Sequence, residues 1–161
     1  MGVKMSAAIE IKGVAPNENM ETCARLIIVG YFREMMSHKD GAIDGTNIEF
    51  VHDMRVASRR LRAAMDNFSD CFQGDFFKQQ YRQIRTITRT MGVVRDLDVL
   101  IRHFQSELLT LPHQEQSGIH GLIENLQQKR EIARQPMLEL FAELEANDFE
   151  TKFLTFFQSE G

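Results

Sequence analysis

Apolar residues recur at intervals of three and four from Met20 onward, which is the spacing of an amphipathic α-helix. The positions on this first apolar face are Met20, Cys23, Ala24, Ile27, Tyr31 and Met35. Residues 1–16 show no such period and end at Pro16, so we expect a flexible lead-in there. Asn17 is a suitable N-cap for the helix that follows.

Glycine and loop-forming residues separate two further predicted helices. Residues 39–41 and 44–47 have the composition of loops. A second helix is predicted over residues 47–72, ending before Gly74. A third is predicted over residues 75–92, because Gly92 is a residue type that commonly ends helices.

The last third of the chain predicts three more helical segments. Asp96 is a suitable N-cap for a fourth helix, whose core-facing residues are Leu97, Leu100, Ile101, Phe104 and Leu108. A long helix is predicted over residues 114–146, which Pro136 either kinks or divides. Residues 149–158 form a short, strongly apolar helix that must cover part of the core.

Helices joined by short connections pack as antiparallel neighbours, and no strand pattern competes with them. We therefore predict an all-α fold, an antiparallel bundle of five to six helices, with residues 17–161 as a single domain. The 161 residues correspond to about one domain, and 43% hydrophobic content is ordinary for a globular protein.

Composition also limits the compartment and the partners. Cys23 and Cys71 stand among apolar residues without a CxxC pair, which favours reduced thiols in a cytoplasmic protein. The strongly apolar run at residues 26–32 is too short to cross a bilayer, and no signal peptide is recognised at the N-terminus. We expect no membrane association and no cofactor.

Charge is distributed unevenly along the chain, whose net charge is −4. Residues 52–102 contain ten Lys and Arg and six acids, a balance of +4. The remainder contains nine bases and seventeen acids, a balance of −8. A basic centre inside an acidic chain favours one selective anion site over general binding to nucleic acid.

Helical projection resolves the basic centre into two stripes. On the second predicted helix, one edge opposite the apolar face carries His52, Arg55, Arg59 and Arg62, whereas Arg60 lies outside it. On the third, an arc of about 60° carries Lys78, Arg82, Arg85 and Arg89. Such runs usually face solvent, but two consecutive all-basic stripes favour a polyanionic ligand, and the arginine fork suits phosphate oxygens.

Two motifs resemble those of the CHAD family, the conserved histidine α-helical domain. Residues 51–62 (VHDMRVASRRLR) look like its signature helix, and residues 92–100 (GVVRDLDVL) resemble its second motif. Lys129 and Arg130 through Arg134, together with the segment 149–157, resemble the end of the family's first half. The resemblance implies a helical module that binds inorganic polyphosphate in a basic channel without catalysis. The contacts that it implies are His52, Arg55, Arg59, Arg62, Lys78, Arg82, Arg85, Arg89, Arg130 and Arg134.

The chain departs from the family pattern in one respect. The family's full domain has two related helical halves, each with a basic motif, and this sequence holds one HxxRxxxRR motif. It is therefore either a half domain or a fragment, and we expect a homodimer that completes the channel. Residues 8–12 (AIEIK) keep only part of the ExExK strand of triphosphate-hydrolysing relatives, so triphosphatase activity is not expected.

Two other functions stay open. His52 is a candidate metal ligand or phosphate acceptor in a phosphate enzyme, but His38, His103, His113 and His120 offer no metal-binding spacing. Asp96 and Asp98 are interpreted as helix-cap and dipole partners that hold Arg95 or Arg89. Nucleic-acid binding is the second alternative. The acidic total and the lack of aromatic residues interleaved with the arginines, which stacking requires, count against it.

Overall fold

The computed structural model describes residues 10–13 and 18–158. Within them lie α1 (Met20–Ser37), α2 (Lys39–Asp44), α3 (Glu49–Asn67), α4 (Asp75–Leu108), α5 (Gln116–Ala146) and α6 (Phe149–Gln158), with 3₁₀ turns at Ser69–Cys71 and His113–Glu115. The prediction of an all-α bundle of five to six helices is confirmed for this part of the chain. The predicted N-cap, Asn17, lies outside the described residues. Asn19 caps α1 instead, accepting a 2.8 Å hydrogen bond from the backbone N–H of Thr22.

The predicted break at Gly92 and the predicted N-cap at Asp96 are wrong. Both residues lie inside α4, a continuous helix of 34 residues that extends for about 50 Å. A glycine inside a helix costs only about 1 kcal/mol, and α4 buries Met91 and Val94 on either side of Gly92. Burial of these apolar side chains therefore outweighs the local preference for a helix end.

Two smaller corrections concern connections. Residues 39–41, predicted as a loop, begin the short helix α2, which ends at Gly45 in the left-handed conformation (φ 75°). A Cβ atom added at Gly41 would lie 2.2 Å from the Phe50 ring, so α2 packs closely against the start of α3 because this residue is glycine. Pro136 lies within α5 and does not divide it.

Adjacent helices pack in the order α1, α3, α4 and α5, and α6 packs against α1 and α5. The apolar residues of α6 fill the space between them, as expected for the last segment. Phe153 stacks on Phe32 of α1 at a ring-centroid distance of 3.9 Å, and Phe157 meets Phe72 edge-on at 5.2 Å. A smaller apolar cluster joins α4 to α5 through Ile101 and its neighbours.

The helices in the described part of the chain are all too short or too polar to cross a lipid bilayer. This agrees with the expectation from the apolar run at residues 26–32.

Phe153→Ala should lower the free energy of unfolding by about 3–5 kcal/mol, because the ring is fully buried against Phe32. Leu109→Ala is the matched control, since Leu109 is 87% exposed at the end of α4. Urea unfolding followed by circular dichroism measures both. Equal destabilisation by the two substitutions would contradict the assigned role of α6.

Candidate functional site

Helices α3 and α4 run antiparallel, and three polar contacts fix their register. The Tyr81 hydroxyl donates to Asp66 at 3.1 Å. The Thr88 hydroxyl lies 2.9 Å from Ser58 Oγ, and Arg102 pairs with Glu49 at 2.6 Å. Residue numbers thus rise along one helix as they fall along the other.

This arrangement brings the two predicted basic stripes to one side of the helix pair. The inward faces bury residues such as Leu61 on α3 and Ile84 on α4. The two stripes lie at similar angles from the core-facing side of their helices. Because the helices are antiparallel, these angles turn toward each other, and both stripes border the groove between α3 and α4 on the side away from the core. We call this face the basic surface; it consists of His52, Arg55, Arg59, Arg62, Lys78, Arg82, Arg85 and Arg89.

The basic surface is partly embedded and partly open. His52, Arg55 and Arg62 are half-buried, and the other five side chains are exposed. Arg55 reaches across to Gly92, where an added Cβ would lie 3.5 Å from its Nε. The Arg62 guanidinium lies over the Tyr81 ring, 5.9 Å from its centroid. The α4 stripe, twelve residues from Lys78 to Arg89, extends for roughly 16 Å.

Within the described residues, none of the eight members of the basic surface forms an ion pair. The Nε atoms of Arg55 and Arg62 are buried there without a hydrogen-bond partner. Neighbouring cations therefore repel one another without an ion-paired carboxylate, at a cost of a few tenths of a kcal/mol per pair. An anion on this face would relieve the repulsion.

Arg60, which lies outside the stripe in projection, has a different role. Its NH1 atom pairs with Glu34 of α1 at 3.2 Å, and Glu34 is only 5% exposed. A buried carboxylate is stable when a cation compensates it. Arg60 therefore attaches α3 to α1 on the side away from the basic surface.

The structure does not bring Arg130 and Arg134 to the basic surface. Both lie on α5 and are buried, at 9% and 6% exposure. Arg134 donates to the carbonyl oxygens of Ala42 (3.1 Å) and Ile43 (2.7 Å) at the end of α2. Cations stabilise helix C-termini, where carbonyl groups lack partners. The family resemblance could not separate these internal contacts from ligand contacts, and we leave both residues out of the candidate site.

Arg130 also corrects the role predicted for Asp98. Asp98 was interpreted as a helix-cap or dipole partner of Arg89 or Arg95, but it lies inside α4 with 1% exposure. Its carboxylate accepts from Arg130 Nε of α5. Arg130 NH2 also reaches the Gly45 carbonyl oxygen at 3.4 Å. The pair therefore connects α4, α5 and the connection after α2.

The sequence analysis missed two neighbours of His52. Glu49 and Asp53 lie within reach of it, with one potential ligand atom from each of the three residues within 4.8 Å of the others. Glu49 stands three residues before His52 and Asp53 stands one residue after it, a spacing that brings the three side chains near one another on a helix. The Arg102 side chain hydrogen-bonds to Glu49 and holds the pKa of that carboxyl below its usual 4.5. This contact competes with metal binding by Glu49.

The fold and the surface together define an all-α protein with an uncompensated arginine face. A family model for the CHAD domain matches residues 27–161, so the chain belongs to the CHAD family. The family is associated with polyphosphate-related binding. No curated protein matches the chain.

Gly45→Ala should destabilise the protein by more than about 1 kcal/mol, since a non-glycine residue is strained in the left-handed conformation. The new Cβ would also lie 2.2 Å from Arg134 NH1 and displace it from the end of α2. Gly118→Ala on α5, where nothing lies near an added Cβ, should instead stabilise by about 0.5–1 kcal/mol. Thermal unfolding compares them, and a harmless Gly45→Ala would refute the role given to Arg134.

Proposed function

We propose that this protein binds inorganic polyphosphate on the basic surface and does not transform it. One observation carries the proposal: eight basic or titratable side chains share one face of α3 and α4 without ion-pair partners in the described residues. Membership of the CHAD family supports the same ligand. The free Cys23 and Cys71 support a cytoplasmic location.

A linear phosphate chain suits the shape of this face better than a single compact anion. The cations follow one another along the helices, and each arginine can present two N–H groups to neighbouring oxygens. A chain with one negative charge on each phosphate unit can pair with the cations of the basic surface one after another. Binding releases counterions, so the affinity should fall steeply as salt is raised.

Arg59→Ala and Arg89→Ala should each weaken binding of long-chain polyphosphate by about tenfold, because hydrogen bonds to charged groups contribute about 1.5–3 kcal/mol. Both side chains are exposed, so the bundle should stay folded. Arg33→Ala, an exposed arginine of α1, is the matched control and should change little. Fluorescence anisotropy at several salt concentrations measures the affinity and its salt dependence.

Four results would count against the proposal. Unchanged affinity in both variants, or an equal loss of affinity in the Arg33→Ala control, would contradict the assignment of the basic surface as the binding site. Displacement of polyphosphate by single-stranded RNA at equal charge concentration would favour nucleic-acid binding. Phosphate release that needs Mg²⁺ and disappears in His52→Ala would favour an enzyme, the alternative supported by Glu49 and Asp53 beside His52.

We further propose that two copies pair about a two-fold axis, so that two basic surfaces form the sides of one channel. The supporting observation is an apolar continuation of the α4 stripe. Val93 and Leu100 are 54% and 43% exposed. Leu100 follows Arg82 by eighteen residues, which is five helical turns, so the two share one line along α4. Exposed apolar residues beside a functional surface often mark a protein interface.

Light scattering should give a mass of twice 18.6 kDa for the wild-type chain. Leu100→Glu should shift it toward the monomer, because two like charges would face each other across the two-fold axis. Leu109→Glu, at the exposed end of α4, should leave the dimer intact. A wild-type monomer with full polyphosphate affinity would refute the pairing.

A further inference from the structure

One end of the basic surface opens into a cavity that a phosphate chain does not explain. The cavity measures about 450 Å³ and lies where α3 ends and α4 begins. Lys78 and Arg82, two members of the basic surface, line one side of it. The rest of its wall is formed by Met65, Asp66, Ser69, Asp75, Phe77 and Tyr81.

The chemistry of this wall differs from that of the basic surface. Inorganic polyphosphate carries only negative oxygens, so the Asp66 and Asp75 carboxylates would repel it. Carboxylates do accept hydrogen bonds from amino and hydroxyl groups. The half-buried Tyr81 ring offers a flat surface that an aromatic ligand can use and phosphate cannot, whereas Met65 and Phe77 belong to the core, at 0% and 6% exposure.

The orientation of Tyr81 is fixed by two contacts with α3. Its hydroxyl donates to Asp66 at 3.1 Å, and the Arg62 guanidinium lies over its ring. A planar aromatic ligand can stack on either an arginine plane or an aromatic ring. This aromatic residue lies among the cations of α4, at a point where the sequence analysis had recognised no stacking group.

We propose that the cavity binds the purine base of a nucleoside polyphosphate whose phosphate chain lies along the basic surface. The base stacks on Tyr81, which lines the cavity, and Asp66 and Asp75 accept hydrogen bonds from its amino group and from ribose hydroxyls. Lys78 and Arg82 hold the phosphates nearest the nucleoside. The volume falls within the usual range for small-molecule sites, about 300–1,000 Å³. The inference rests on the proposed phosphate binding at the same surface and adds a preference for a nucleoside at one end of the phosphate chain.

Adenosine 5′-tetraphosphate and inorganic tetraphosphate are the probes, because they share a phosphate chain and differ in the nucleoside. Isothermal titration calorimetry on the full chain should show tighter binding of the nucleotide, by roughly five- to a hundredfold from base stacking. The readout is the ratio of the two dissociation constants. A variant that only weakens phosphate binding leaves this ratio unchanged.

Tyr81→Leu should reduce the ratio to near one, since leucine keeps apolar volume without an aromatic ring. Tyr81→Phe should retain the preference, which separates stacking from the hydrogen bond to Asp66. Arg82→Ala is the control for phosphate contacts on the basic surface. It should weaken binding of both ligands while the ratio of their dissociation constants stays the same. A thermal melt of each variant confirms that it is folded.

The outcomes separate this inference from the proposed function. If inorganic tetraphosphate binds and the nucleotide has no advantage, the cavity assignment is overturned while phosphate binding stands. A preference that survives Tyr81→Leu in a folded protein also overturns it. If neither probe nor long-chain polyphosphate binds, the proposed function itself fails.

Discussion

The register between α3 and α4 is the constraint on which the candidate site depends. At its centre the buried Thr88 hydroxyl lies 2.9 Å from Ser58 Oγ, and Ser58 in turn donates to the Arg55 carbonyl oxygen at 2.7 Å. Thr88 also bonds the Ile84 carbonyl oxygen of its own helix at 3.0 Å, so sliding one helix along the other would break the contact between the two hydroxyls and keep the bonds within each helix. This contact determines which cations of α3 lie beside which cations of α4.

The arginines of this chain have two distinct roles, which their partners define. Arg60 and Arg130 compensate buried carboxylates, and Arg134 serves carbonyl groups at the end of α2. These internal contacts hold α1 and α5 to the rest of the bundle. With the framework held in this way, the arginines of the basic surface remain available for an external anion. The same residue type therefore stabilises the fold on one side and carries the proposed binding on the other.

The two ends of the basic surface differ in chemistry. At one end His52 lies with Glu49 and Asp53, and a hydrogen bond from Arg102 lowers the pKa of Glu49. At the other end Tyr81 and two further carboxylates form the wall of a cavity. Acidic groups thus lie at both ends of the basic surface. These carboxylates distinguish both ends from the middle of the basic surface, where the proposed phosphate contacts lie.

The sequence by itself determined the helical fold and the two basic stripes, because both follow from periodicity along a single helix. It also identified the apolar C-terminal segment as a cover for the core. Tertiary structure decided whether α4 continues through Gly92, because burial on both sides of the glycine outweighs its weak local preference for a helix end. It also decided the role of Arg134, since a sequence motif does not reveal whether a guanidinium meets a ligand or a carbonyl group 91 residues away. Local patterns thus place charges on helices, and long-range packing decides which charges are left without an internal partner.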